Sequence, residues 1–252
     1  MRQTAKHFSV GDIKCAVFSD GKLVDPENTF DLNCLYIEAG GRKILVDNGC
    51  GPLVTATAGK LVENMEAEGL ETADITDIIF THGHIDHVSG TCDVKGKPVF
   101  PNARYIITKK EWEYIKAPPG KNQTQNVFYE SARKYLPPLH GRFDLVDDGF
   151  EVLPGIKLVP AHGHTPGNSM VAIKRGGERL LCIGDIIHMT RELTEPRLCA
   201  SFDVSPAEAL KTRTKILSQA AKEGAFIFAC HFDFPGLGHI REKKSVLAWE
   251  AI

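Results

Sequence analysis

Residues 81–87 read Thr81-His82-Gly83-His84-Ile85-Asp86-His87, so four groups able to bind a metal fall within six positions. Imidazole nitrogens and a carboxylate in one cluster suit zinc and similar first-row ions. His82 and His84, two apart, can turn to one ion, and Asp86 and His87 can then reach a second. A loop of solvated histidines is the alternative, and the density of donors counts against it. Three later segments add the same donor types: Pro160-Ala161-His162-Gly163-His164-Thr165-Pro166-Gly167, Leu180-Leu181-Cys182-Ile183-Gly184-Asp185, and Phe226-Ile227-Phe228-Ala229-Cys230-His231. Such groups need partners if they are buried together, because an unpaired imidazole or carboxylate is costly away from water.

Each donor segment follows an apolar, β-rich run, which places the ligands where strands end and loops begin. The strand fixes the backbone, and the loop lets neighbouring side chains converge. Strands are expected over residues 13–19, 33–38, 43–47 and 77–81, at Val99, and over 104–108, 145–146, 156–160, 169–174, 179–184 and 225–230, the last clear one. Helices are expected over 53–69, where Leu53, Ala56, Leu61 and Met65 are loosely periodic, over 109–116 before Ala117-Pro118-Pro119-Gly120, and over 123–136 before Pro137-Pro138. A further helix should start at Ser205-Pro206-Ala207-Glu208, with Ser205 as cap and Pro206 in the first turn, and stop at Gly224. Strand clusters with helices between them fit two packed sheets with helices outside. There is no repeat or linker, so residues 1–252 read as one domain.

The chain is 42% hydrophobic and 25% charged with a net charge of -2, which suffices for a buried core and gives no basic patch for nucleic acid or anionic membrane. No apolar run approaches the roughly 18–20 residues of a membrane span, and no secretory leader is apparent. The cysteines Cys15, Cys34, Cys50, Cys92, Cys182, Cys199 and Cys230 are scattered and odd in number. They read as small buried hydrophobes with reduced thiols, which points to a cytoplasmic protein.

The pattern T-H-G-H-I-D-H resembles the H-x-H-x-D-H signature of the metallo-β-lactamase superfamily. His164 in G-H-T-P-G, Asp185 in G-D and His231 after a strand match its remaining ligand positions, across roughly residues 12–240. The resemblance implies an α+β chain folded as an αββα four-layer sandwich. It assigns His82, His84 and His164 to one metal, Asp86, His87 and His231 to the other, and Asp185 to both. It also selects His164 over His162, since the family's ligand directly precedes Thr-Pro-Gly. Two divalent ions, zinc by default with manganese, iron, cobalt or nickel as alternatives, are the implied cofactors.

Phe18-Ser19-Asp20-Gly21, Leu45-Val46-Asp47-Asn48-Gly49-Cys50-Gly51, Phe100-Pro101-Asn102-Ala103 and Phe234-Pro235-Gly236-Leu237-Gly238-His239 look like the branch of N-acyl-homoserine-lactone lactonases and methyl parathion hydrolase. The implied function is hydrolysis of a lactone or carboxylic ester, as in quorum quenching, with organophosphates as a side activity. The implied mechanism is attack by a hydroxide held between two metal ions, with Asp86 passing a proton to the leaving group. His188 stands where the lactonases carry a tyrosine, and a hydrogen bond from it to the substrate would make it catalytic. Asp47 resembles a residue that orients a ligand loop. The polar stretch 117–125 is either a pocket rim or a solvated connector. A small-molecule substrate is the expected partner, and relatives of this branch are often homodimers. The rival reading is a thioester hydrolase resembling glyoxalase II, although no glutathione-binding segment is visible near the C-terminus.

Overall fold

The computed structural model describes residues 3–24, 28–53, 55–198, 203–244 and 246–252. Its first sheet runs in sequence order through β1 (Ala5–Val10), β2 (Ile13–Val24), β3 (Thr29–Ala39), β4 (Arg42–Val46), β5 (Asp77–Ile79), β6 (Arg104–Thr108) and β7 (Phe143–Val146). Neighbours are antiparallel up to β4 and parallel from β4 to β7. The second sheet has the order β14-β13-β12-β11-β10-β9-β8, built from β8 (Glu151–Leu153), β9 (Ile156–Pro160), β10 (Ser169–Arg175), β11 (Glu178–Cys182), β12 (Phe226–Phe228), β13 (Leu237–Lys243) and β14 (Val246–Ala251). Only β11 and β12 pair in parallel there.

Parallel neighbours require crossover connections, and these carry the helices. They are α1 (Leu61–Ala67), α2 (Ile85–Val88), α3 (Lys109–Lys116), α4 (Gln123–Phe128), α5 (Glu130–Tyr135), α6 (Arg191–Thr194) and α7 (Pro206–Glu223). Alternation along the strands sorts side chains to two faces. Val17, Leu35, Ile37 and Ile44 meet Leu158, Val171, Ile173 and Leu180 between the sheets. Phe18, Leu45, Ile78 and Tyr105 turn outward onto Met65, Trp112, Ile115 and Tyr129. On the far side Leu181 and Ile227 pack against Leu217 and Ala220 of α7. The layers are therefore αββα, as the resemblance implies. No helix among the described residues is long and apolar enough to cross a membrane.

Several local expectations change. The helix expected over 53–69 is confined to Leu61–Ala67: Gly59 sits at φ 76°, outside helical space, and Val54 lies outside the described residues. The 123–136 helix breaks at Tyr129 (φ -94°, ψ 3°), whose ring is buried and whose hydroxyl is bonded across the layer. Val99 is not in a strand; its N–H donates to Thr91 O at 2.9 Å. Ser205 does occupy the cap position of α7, but its hydroxyl caps nothing, and its N–H instead donates to Gly163 O at 2.9 Å. Gly224 ends that helix at φ 62° as expected. Strands β1, β8, β13 and β14 were not anticipated. The described cysteines are all unpaired and buried, and Cys199 lies outside the described residues.

Asp20 pins the first ligand-bearing layer. Its carboxylate is fully buried and accepts from Cys50 N–H at 2.8 Å and from Leu61 N–H, the first turn of α1, at 2.9 Å. Burial outweighs these bonds and pushes its pKa up from 3.8 to about 6. A carboxyl raised on folding stabilises fully below its unfolded value, and that contribution disappears as pH climbs through the folded value. Between pH 4 and 7 the wild type should therefore lose about 2 kcal/mol relative to Asp20→Asn. Urea denaturation of both proteins across that window measures it, and a constant difference would contradict it.

Candidate metal centre

The donors gather where strands end. His82, His84, Asp86 and His87 follow β5, with Asp86 and His87 on the single turn of α2. His164 lies in the connection from β9 to β10, Asp185 follows β11, and His231 follows β12. One atom each from His82, His84, His164 and Asp185 lies within 4.8 Å of the others, and the same holds for His87, Asp185, Cys230 and His231. Asp185 belongs to both groups. Its Oδ2 is 3.7 Å from His82 Nε2 and 3.3 Å from His164 Nε2, and its Oδ1 is 3.2 Å from both His87 Nε2 and His231 Nε2.

Asp86 stands slightly outside the second group, with Oδ2 3.6 Å from His87 Nε2 and 3.7 Å from His231 Nε2. Cys230, read from sequence only as a buried hydrophobe, lies inside it, with Sγ 3.5 Å from Asp185 Oδ1. His162 is elsewhere, against Asp148 at 3.2 Å.

The histidines are oriented from behind. His87 Nδ1 donates to Asp47 Oδ2 at 2.8 Å, and His164 Nδ1 donates to Asp203 Oδ1 at 2.8 Å. His231 Nδ1 faces the carbonyl of Asp31 at 3.4 Å. A ring nitrogen committed to a partner behind leaves the other to face a metal ion, which would take it as a lone pair in exchange for any proton it carries. In each ring that second nitrogen faces Asp185. Nε2 of His82 and of His87 are buried and make no hydrogen bond among the described residues. Convergent, buried ring nitrogens around one carboxylate are a donor set that fits two divalent cations.

Asp47 adopts φ 61°, the left-handed region, and accepts from Thr81 N–H and from the Thr81 hydroxyl, both at 2.8 Å. It thereby ties the end of β4 to the first residue of the ligand loop.

Charge follows position. Burial drives His82 and His84 well below the ordinary imidazole range, favouring the neutral, ligating form. Burial opposes charge on His87 too, but Asp185, Asp86 and Asp47 outweigh it and hold His87 well above that range. Around Asp185, burial is overcome by His87, His231 and His82, which keep its carboxyl far below the usual value.

His188 also reaches the centre, with Nε2 3.2 Å from Asp185 Oδ2 and its N–H donating to Glu192 Oε2 at 3.2 Å. Glu192, Asp203 and Glu111 are buried around the site and carried no signal in the sequence, where each reads as an ordinary surface acid. A cavity of about 200 Å³ opens on the donors, walled by Leu23, Val24, Phe30 and Phe128 with Asp86 and His188 at its base. The stretch 117–125 does not line it. A wider hollow of about 390 Å³ includes Asp12 and Arg175, but they pair with each other, and no donor cluster faces it.

Comparison with known proteins agrees with this arrangement. N-acyl homoserine lactonase AiiA of Bacillus thuringiensis subsp. kurstaki is 26% identical over 174 residues, covering 68% of this chain and 62% of the lactonase, so less than two thirds of that relative is matched. An N-acyl homoserine lactonase of Bacillus cereus is 24% identical over 235 residues, 84% of this chain and 86% of the relative. Among solved structures, AidC, a dizinc quorum-quenching lactonase with a homoserine product bound, superposes with a TM-score of 0.91 at 24% identity over 98% of this chain and 97% of its own. The hydrolase AbOPH gives 0.91 at 24% identity over 100% and 98%. The family model described as the metallo-beta-lactamase superfamily matches residues 29–231. The chain belongs to the metallo-beta-lactamase superfamily.

Proposed function

We propose that this protein is a dinuclear metal-dependent hydrolase of a neutral lactone or carboxylic ester. One observation carries the reading: the paired donor groups meet at the base of a cavity whose walls are apolar and which no lysine or arginine among the described residues lines. His82, His84 and His164 would hold one ion, Asp86, His87 and His231 the other, and Asp185 both. Bound divalent ions bring the pKa of water down to about 7 and polarise a carbonyl oxygen. Zinc is the expected ion, and the same donors accept manganese, iron, cobalt or nickel.

The chain's own groups do the rest. Leu23, Val24, Phe30 and Phe128 bury an acyl or aryl group and exclude water from it. Asp86, at the cavity base, is placed to carry a proton to the departing alkoxide. His188, whose Nε2 lies 3.2 Å from Asp185 Oδ2 at the cavity base, would turn that nitrogen to a substrate oxygen as a hydrogen-bond donor. Burial opposes charge on this ring, yet its contacts with Asp185 and Glu192 raise its pKa to about 10. The unpaired cysteines fit a reducing, cytoplasmic setting.

A substrate panel on zinc-loaded protein tests this reading: an acyl-homoserine lactone, an aryl ester, methyl parathion and S-lactoylglutathione. The lactone or the aryl ester should exceed the thioester in kcat/KM by about 100-fold, about 2.7 kcal/mol of transition-state discrimination. The thioester carries carboxylates, and no lysine or arginine among the described residues lines this cavity to meet them. Preference for S-lactoylglutathione would establish the glyoxalase-like alternative, and inactivity on all four would overturn the ester reading.

A further inference from the structure

Glu111 lies in Lys109-Lys110-Glu111-Trp112-Glu113, at the start of α3, yet it is completely buried. Its Oε1 accepts from Gly83 N–H at 2.9 Å and from the Tyr129 hydroxyl at 2.5 Å. Its Oε2 accepts from the Thr165 hydroxyl at 2.7 Å and from Gly167 N–H at 3.0 Å. Four donors saturate the acceptor capacity of one carboxylate. All four come from segments that build the centre. Gly83 separates His82 from His84, and Thr165 and Gly167 follow His164. Tyr129 follows the wall residue Phe128, and its ring stands edge-on to His84 at 5.0 Å.

The glycines of both ligand motifs are explained by the same junction. A Cβ on Gly167 would sit 2.3 Å from Glu111 N and 2.6 Å from its Cα. On Gly83 it would sit 2.8 Å from the Tyr129 ring and 2.9 Å from Ile115. Bare backbone is what lets the two loops close onto α3. The second donor group has a support of its own: Asp47 backs His87, and Glu111 accepts from no residue next to His87 or His231 in the chain.

We infer that Glu111 is a positioning residue that locks the His82–His84 loop, the His164 loop and the Phe128 wall in one register, and so sets the affinity of one metal position without setting the other. The inference rests on the dinuclear reading above. The isosteric variant Glu111→Gln presents an amide N–H to two donors and so releases one side of the clamp.

Zinc is the probe, titrated in competition with a chromophoric chelator. In a His231→Ala background, which leaves the His82/His84/His164 position, E111Q should weaken zinc by about 10- to 100-fold. In a His84→Ala background, which leaves the other position, affinity should stay within about threefold. A merely structural role would lower both alike. Equal weakening in both backgrounds, or no change in either, overturns the inference. Should E111Q fail to fold, Thr165→Val removes one donor and is judged by the same criterion. If the unmodified protein takes up no zinc, the dinuclear reading itself falls. If it takes up two and E111Q matches its parents, only the role of Glu111 falls.

Discussion

Asp185→Ala is expected to lower kcat/KM by about 1,000-fold or more, at least about 4 kcal/mol of barrier, and to reduce bound zinc below two per chain. The reason is the position of one carboxylate. Its oxygens lie 3.2 to 3.7 Å from Nε2 of His82, His87, His164 and His231, so it is the only described donor common to both groups. Alanine leaves four imidazoles crowded together without the one carboxylate that all of them face. His87 then loses the leading partner that holds it charged against burial. Wild type stripped by a chelator should lose activity to the same extent and recover on adding zinc, whereas the variant should not recover. Metal analysis alongside steady-state kinetics distinguishes the cases. Undiminished turnover by metal-free wild type, together with undiminished turnover by the variant, would rule out the metal-dependent reading.

Arg213→Met should destabilise the fold by about 3–5 kcal/mol, because it strips the partner from buried charge. Arg213 lies on α7 and is 1% exposed. Its Nε donates to Ile186 O at 2.7 Å and its Nη1 to Leu198 O at 2.5 Å. Its Nη2 sits between Glu192 Oε2 at 3.5 Å and Asp203 Oδ2 at 3.8 Å. Those two acids hold His188 and His164 in place, so one guanidinium steadies both supports. Methionine fills much of the space but leaves two carboxylates desolvated and two carbonyls without donors. Urea unfolding at neutral pH reads the loss. A change below about 1 kcal/mol would show that water reaches the acids and that the network contributes little.

The candidate donors were legible in the sequence because their signal is local. T-H-G-H-I-D-H packs four donors into one loop, and the other donors each end an apolar run. The sandwich was legible for a similar reason: central strands such as β5 and β11, buried on both faces, appear as continuous apolar stretches. What escaped depends on partners far along the chain. Glu111 in a lysine-rich helix and Asp203 before a helix look like solvent-facing acids, and only the loops brought onto them show otherwise. The break at Tyr129 came from a long-range hydrogen bond overriding helical continuity. Edge strands β1, β8 and β14 have one open side and weak alternation, so their pairing is set by the neighbouring strand more than by their own residues.

The left-handed backbone at Asp47 narrows what the protein can become at that point. Glycine would relax the twist but leave the His87 imidazole free to rotate. Asparagine tolerates the twist, yet it would turn an amide N–H toward groups that are themselves donors. Glutamate reaches too far and adopts that backbone poorly. One requirement comes from the main chain and the other from the side chain, and their overlap contains a single amino acid. Mutational drift can remodel the cavity walls at Leu23, Val24 or Phe128 one residue at a time, while the pivot beneath the metals stays fixed. New substrates are therefore within reach of this scaffold without disturbing the centre that activates water.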